Sequence, residues 1–282
     1  MYSAGLIFEG GGMRGAYTAG VIDAFLDNHL EFSRCYAVSV GSCNAVSYLS
    51  KQRGRAYRVI TDYIGERRYC SFWNLLTTGN LFGSEMIYHT IPELLDPFDY
   101  EEYARYEGKC IVVATNCETG EAEYFHLKDL RVDIEMVNAS CSLPIFAKIV
   151  PIAGKKYLDG GLADSIPIQK SIADGNRKNI VILTQDSTYR KKPAKSVPLL
   201  RIIYRKYPKM VASVAARNIR YNDTLDFIAK EEAKGRAFVL RPKIPVKIGI
   251  VETNKKKLAA LYDDGFRDTM ERMDDLIAFL EK

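Results

Sequence analysis

Apolar residues along this chain come in two rhythms. Up to about residue 185, short apolar runs bounded by turn-forming residues alternate with stretches of helical period. Ala4 to Phe8 is followed by a helix from about Gly15, and Arg34 to Val38 by a helix from about Ser42. Cys110 to Ala114, Ala122 to Phe125 and Ile180 to Leu183 read as further strands, with a helix around Ile134 to Ser140. Strands alternating with helices predict an α/β sheet covered on both faces. Beyond it, Val211 to Lys234 reads as helix and Ala237 to Leu240 as one more strand. Leu258, Leu261, Tyr262, Met270, Met273, Ile277 and Leu280 then recur at helical spacing, as a last packing helix. Only residues 187–198, with two prolines and four cations, have the composition of a linker. The expected organisation is a catalytic α/β core over 1–186, then a basic linker and a mainly helical C-terminal cap over 187–282, packed on the core.

The 282 residues, 47% of them hydrophobic, suffice for a sizeable core. No apolar run approaches the roughly 18 residues of a membrane span, and the start, MYSAGLIFEGGG, lacks the positive region of a signal peptide. Cys35, Cys43, Cys70, Cys110, Cys117 and Cys141 show no CxxC pairing, which argues against zinc and against a disulfide framework and implies a reduced, cytoplasmic protein. Net charge is +5, but no acid occurs between Asp186 and Asp223. That stretch holds Arg190, Lys191, Lys192, Lys195, Arg201, Arg205, Lys206, Lys209, Arg217 and Arg220. Interleaved with apolar runs, it fits peripheral contact with anionic membrane, although a solvated linker and helix face is the commoner reason for such a block. Nucleic acid is not an expected partner.

Candidate chemistry begins at the first strand. Gly10, Gly12 and Gly15 fit the dinucleotide fingerprint GxGxxG, yet the same turn can present bare backbone N–H groups to an oxyanion. The fingerprint also demands an acid at the end of the second strand, and that strand runs into Ser39 instead. Residues 37–41, AVSVG, have the form of a nucleophile elbow: Ser39 sits on a strand-to-helix turn between Ala37 and Gly41, which must be small because the turn crowds neighbouring backbone. Ala37 departs from the usual glycine by one methyl. A serine nucleophile needs a base, and His29, His89 and His126 all precede the position of a conventional triad histidine. An aspartate acting directly on the serine is the economical alternative. Asp159 ends an apolar run and enters a turn at Gly160 and Gly161.

Taken in order, GGGMRG at 10–15, AVSVG at 37–41 and DGG at 159–161 resemble the three signatures of patatin-like phospholipases. NASCSLPIF at 138–146 is similar to that family's segment before the DGG turn, and ATNCETG at 114–120 to its central strand and turn. The resemblance covers about residues 4–185. It implies a three-layer α/β/α sandwich and a lipid acyl hydrolase with a Ser39 and Asp159 dyad. Its oxyanion hole would come from the turn at Gly10, Gly11 and Gly12 with Arg14, supported by Gly15, Ala37, Gly41, Gly160 and Gly161. The partner is then a lipid or phospholipid, and neither metal nor cofactor is required. An aspartate at its ordinary pKa is a poor base, so the site is expected to raise that pKa or desolvate the pair. Leu143, Ile145, Phe146 and the stretch Phe72 to Leu76 are candidate walls of an acyl groove. Two other readings stay open: acyl transfer to another alcohol by the same dyad, and a non-catalytic membrane-associated or nucleotide-binding module.

Overall fold

The computed structural model describes all residues, Met1–Lys282. In chain order the elements are β1 (Tyr2–Phe8), α1 (Gly15–Asp27), β2 (Phe32–Val38), α2 (Val40–Leu49), α3 (Arg55–Thr61) and α4 (Phe72–Thr78). A wide π-helical segment, Met86–Leu95, precedes α5 (Tyr100–Ala104), β3 (Lys109–Asn116), β4 (Ala122–Leu127), α6 (Leu130–Cys141), β5 (Val150–Ile152) and β6 (Lys155–Asp159). The chain ends with α7 (Ile168–Ala173), β7 (Asn179–Ile182), α8 (Val197–Ile203), α9 (Pro208–Ala233), β8 (Ala237–Leu240), α10 (Lys255–Met270) and α11 (Met273–Glu281). The expected single terminal helix is two, because Glu271 and Arg272 form a turn between α10 and α11.

One eight-stranded mixed sheet runs β5-β6-β3-β2-β1-β7-β8, with β4 on β3 as well. β2, β1, β7 and β8 follow β3 in parallel, whereas β4 and β6 are antiparallel to it. Alternate residues of the parallel strands divide between the two faces, as the period of two requires. Leu6, Phe8, Cys35, Ala37, Ile180 and Ile182 pack under α1, α2, α10 and α11. Ile7, Tyr36, Val181 and Val239 face α7 and α9 through Ile168, Tyr221 and Ile228. The result is the three-layer α/β/α arrangement. Residues after 186 supply an edge strand and helices on both faces.

Candidate functional site

Ser39 leaves the sheet at the end of β2 with φ 55° and ψ −132°, a left-handed conformation rare for a residue with a side chain. Such strain persists only where the surroundings over-determine it, and it aims the side chain out of the turn. The next turn of chain, the start of α2, passes across the end of β1, where a Cβ on Gly41 would sit 2.8 Å from the Phe8 carbonyl. Ala37 lies fully buried between Phe8 of β1 and Val112 of β3, with room for its methyl. The Ser39 amide donates to Ser140 Oγ at 2.8 Å, which anchors the elbow to α6.

Sheet register brings Asp159 beside it. β3 pairs with β2 as far as Val113 opposite Val38, and the next residue, Ala114, pairs with Asp159 of β6. β4 occupies the other edge of β3 at both positions, so β6 takes over the edge that β2 vacates at Ser39. Gly160 follows where a Cβ would lie 2.1 Å from the Val113 carbonyl, so only glycine fits. The Asp159 amide donates to the Ser142 carbonyl at 2.7 Å, and its Oδ1 accepts from the Gly161 amide at 2.7 Å. Oδ2 is buried and makes no well-formed hydrogen bond. Burial pushes the Asp159 pKa up, against the pull of Arg217, the Ser39 hydroxyl, the Gly161 amide and Lys191. The Ser39 hydroxyl is thus close enough to act on the carboxylate without a well-formed hydrogen bond to it.

The glycine turn lies against the same serine. A Cβ on Gly10 would meet Ser39 Cβ at 2.9 Å, one on Gly11 would meet Thr184 Oγ1 at 2.7 Å, and one on Gly15 would meet Val40 at 2.7 Å. Gly12 has φ 58° and backs onto the Ile250 carbonyl. The amides of Gly10, Gly11 and Gly12 donate to no protein group, which leaves three backbone N–H groups for a ligand. Arg14 donates to the Ile248 carbonyl at 3.2 Å, and the Met13 amide to the Ile250 carbonyl at 3.0 Å, so the loop between β8 and α10 straps the turn down.

Two clefts meet at Ser39. One is lined largely by apolar side chains, as ligand sites usually are, among them Val59, Tyr69, Phe82, Tyr88, Leu143 and Phe146. The other is polar and holds Arg14, Asp159, Lys191 and Arg217. Of the expected groove walls, Leu143 and Phe146 are in place. Ile145 instead packs toward Leu158 and Tyr204, and Phe72, Trp73 and Leu76 are 75%, 57% and 82% exposed on the outer side of α4. Only Asn74 of α4 is buried, so its aromatic face is on the surface. His29, His89 and His126 are all exposed and line neither cleft.

The sequence model for patatin-like phospholipase matches residues 6–171, more than half of the chain. The chain belongs to the patatin-like phospholipase family. It is accordingly a hydrolase, and a second model, for a domain of unknown function, matches residues 207–281. Among relatives, "Uncharacterized protein YjjU" of Escherichia coli is 27% identical over 246 residues, covering 86% of this chain and 69% of that protein. "Probable lipid hydrolase 463L" of Invertebrate iridescent virus 6 is 24% identical over 218 residues, covering 67% of this chain and 72% of that protein. VipD from Legionella pneumophila shares the fold, with a TM-score of 0.55 at 12% identity over 98% of this chain and 67% of VipD.

Several groups at the site were invisible as site residues in the sequence, and all but Glu9 lie outside the patatin-like match. Lys191 and Arg217 belong to the acid-free stretch, whose cations divide: Arg217 and Arg220 turn inward from α9, and Arg220 donates to the Leu162 and Ala163 carbonyls behind the DGG turn. Glu9 is buried, accepting from the Thr184 amide and hydroxyl and from the Tyr221 hydroxyl. The only sequence signal for Glu9 was a charge interrupting the first apolar run just before the glycines.

Proposed function

We propose that this patatin-like protein hydrolyses acyl esters of lipids through Ser39 and Asp159. Ser39 Oγ attacks the ester carbonyl as Asp159 Oδ2 takes its proton, and the carbonyl oxygen gains negative charge facing the Gly10 and Gly11 amides. One such preorganised donor is worth roughly 3 kcal/mol in the transition state. Collapse expels the alcohol, which takes the proton from Asp159. Water then attacks the acyl-enzyme, with the same carboxylate accepting its proton, and releases the fatty acid. The acyl chain lies in the apolar cleft. The observation that carries this reading is a buried carboxylate of raised pKa, with an oxygen free of other partners, next to a serine on a strained elbow. A serine-directed fluorophosphonate is expected to label the wild type and not Ser39→Ala. Equal labelling of both proteins would remove Ser39 from the chemistry.

Peripheral contact with anionic membrane from a cytoplasmic location is part of the same proposal. No helix is long and apolar enough to cross a bilayer. Leu199, Ile202 and Ile203 of α8 are 50%, 74% and 51% exposed, between the exposed cations Lys192, Lys195, Arg201, Arg205 and Lys206. This supports an interfacial helix with basic neighbours. Each such cation contributes about 1 kcal/mol near an anionic surface, and salt screens it. Co-sedimentation with vesicles should therefore rise with anionic lipid and fall with salt. It should drop at least about tenfold when Lys192, Lys195, Arg205 and Lys206 become glutamine. Unchanged binding would end the membrane proposal and leave the chemistry standing.

A further inference from the structure

Two thiols stand between the supports of the dyad. Cys43, near the start of α2, and Cys141, the last residue of α6, have their sulfurs 3.9 Å apart. Both are free, partly exposed and part of the wall of the apolar cleft that opens at Ser39. The neighbours of Cys141 hold both members of the dyad. Ser140 Oγ accepts from the Ser39 amide at 2.8 Å and lies 3.1 Å from Ser42 Oγ, and the Ser142 carbonyl accepts from the Asp159 amide at 2.7 Å. The hydrogen bond from Cys141 pulls the Cys43 thiol pKa down against burial, helped by the Arg55 guanidinium, and the same bond raises that of Cys141. Cys43 is therefore the sulfur that ionises first. The other cysteines lack this setting. Cys35 and Cys110 are register partners on β2 and β3, but both are buried and burial raises both thiols. Burial raises the Cys70 thiol to about 11, and Cys117 is buried.

We propose that Cys43 and Cys141 are a modification site, oxidised by hydrogen peroxide to a disulfide that lowers turnover at Ser39. Its effect on turnover rests on the Ser39 and Asp159 reading. The Cys43 thiolate attacks one peroxide oxygen, the O–O bond breaks, and the departing hydroxide takes up the proton that Cys43 gave up, which leaves a sulfenic acid and one water. The Cys141 sulfur then attacks the Cys43 sulfur, the S–O bond breaks, and the leaving hydroxide carries off the Cys141 proton as a second water. Two thiols together lose two electrons, and one peroxide gains them. A disulfide holds its sulfurs about 2 Å apart, so the two must close by about another 2 Å. α2 begins at the elbow and α6 ends at Ser140 and Cys141, so that closure draws on the contacts that fix Ser39 and Asp159 at once. Reduction releases them. Disulfides that form in reducing compartments are usually of this transient, sensing kind.

The test treats the reduced wild type with hydrogen peroxide and maps its peptides without reductant. A peptide cross-linked between Cys43 and Cys141 is expected, with kcat for a short-chain ester lowered at least about tenfold and returned to within about twofold of its untreated value by dithiothreitol. Methionine sulfoxide needs its own reductases, so recovery in dithiothreitol separates the cross-link from damage at Met13. Cys43→Ser and Cys141→Ser should each keep their own untreated kcat within about twofold through the same treatment. Inactivation of the wild type without the cross-linked peptide, equal inactivation of the wild type and both variants, or complete cross-linking with kcat unchanged would each overturn the proposal. Mapping needs only the wild-type protein, so it decides even where a serine variant fails to fold. Ser39→Ala should form the same cross-link. Continued ester cleavage by Ser39→Ala would instead refute the dyad, with the mapped cross-link still readable.

Discussion

Ser39→Ala and Asp159→Asn should each lower kcat for a short-chain ester by about 10³-fold or more, and the double variant should be little worse than either, because members of one catalytic unit are not additive. Removing Ser39 removes the nucleophile. Asparagine keeps the volume of Asp159 and its bond from the Gly161 amide but takes no proton. With no histidine at the site, no other residue next to Ser39 Oγ is suited to replace that base. An Asp159→Asn variant with near wild-type turnover would sink the dyad. The pKa direction adds two consequences. Only the ionised carboxylate is a base, so kcat/KM should rise with pH through an apparent pKa above the usual carboxylate range. Stability runs the other way. A folded pKa raised above the unfolded value of 3.8 means the native protein binds more protons, so stability present below about pH 4 is lost as pH rises through the folded pKa. Asp159→Asn should therefore melt above the wild type at neutral pH, with the gap closing toward pH 4. An inactive variant that is more stable is the pattern of a site whose strain serves chemistry.

Strands read well from the sequence because the buried parallel strands are short apolar runs with clear turns around them; β8 matches its expected bounds, Ala237–Leu240, residue for residue. β5 is three residues long and half exposed, too short to carry a period. α3, α8 and the π-helical segment are set by tertiary packing: Pro92 inside Met86–Leu95 reads as a breaker, yet Ile91 and Tyr88 hold that segment in the core. The break between α10 and α11 escaped notice because Met270, Met273 and Ile277 keep helical spacing across it. At the site, elements with an intrinsic constraint were legible. The elbow needs small residues, and the turn at Gly160 needs a glycine. Groups brought in by the sheet's register and by the long return of α9 were not. Nothing local to Lys191 or Arg217 says which cations of the basic stretch turn inward, since that depends on the angle at which α9 crosses β7 and β8.

Gly265→Val should destabilise the protein by about 3 kcal/mol or more, lowering the melting temperature by roughly 6–12 °C. α1 and α10 cross with two glycines at the contact. A Cβ on Gly265 would fall 2.1 Å from the Tyr17 carbonyl oxygen, and one on Gly20 would fall 2.0 Å from the Tyr262 carbonyl oxygen. Backbone stands on both sides of each clash, so no flexible side chain can yield, and the helices must separate. Separation also strains the paired bonds that flank the crossing, Tyr262 hydroxyl to Asp23 Oδ2 at 2.7 Å and Tyr17 hydroxyl to Asp268 Oδ2 at 3.3 Å. The site is coupled to this contact through short stretches of chain. α1 starts at Gly15, directly after the glycine turn, and α10 starts at Lys255, five residues after Ile250, in the loop that receives the Met13 and Arg14 bonds. Moving α10 should therefore loosen the strap on Met13 and Arg14, let the glycine turn that carries the Gly10 and Gly11 amides shift, and lower kcat more than it raises KM, since those donors act on the transition state. Gly249→Ala is the comparison: its Cβ approaches only Val251, at 3.3 Å, and its φ is not in the left-handed region, so stability should change by about 1 kcal/mol or less. Thermal melts and kinetics on the two variants check the argument. A Gly265→Val protein that melts with the wild type would mean that α10 does not press on α1 this closely in solution.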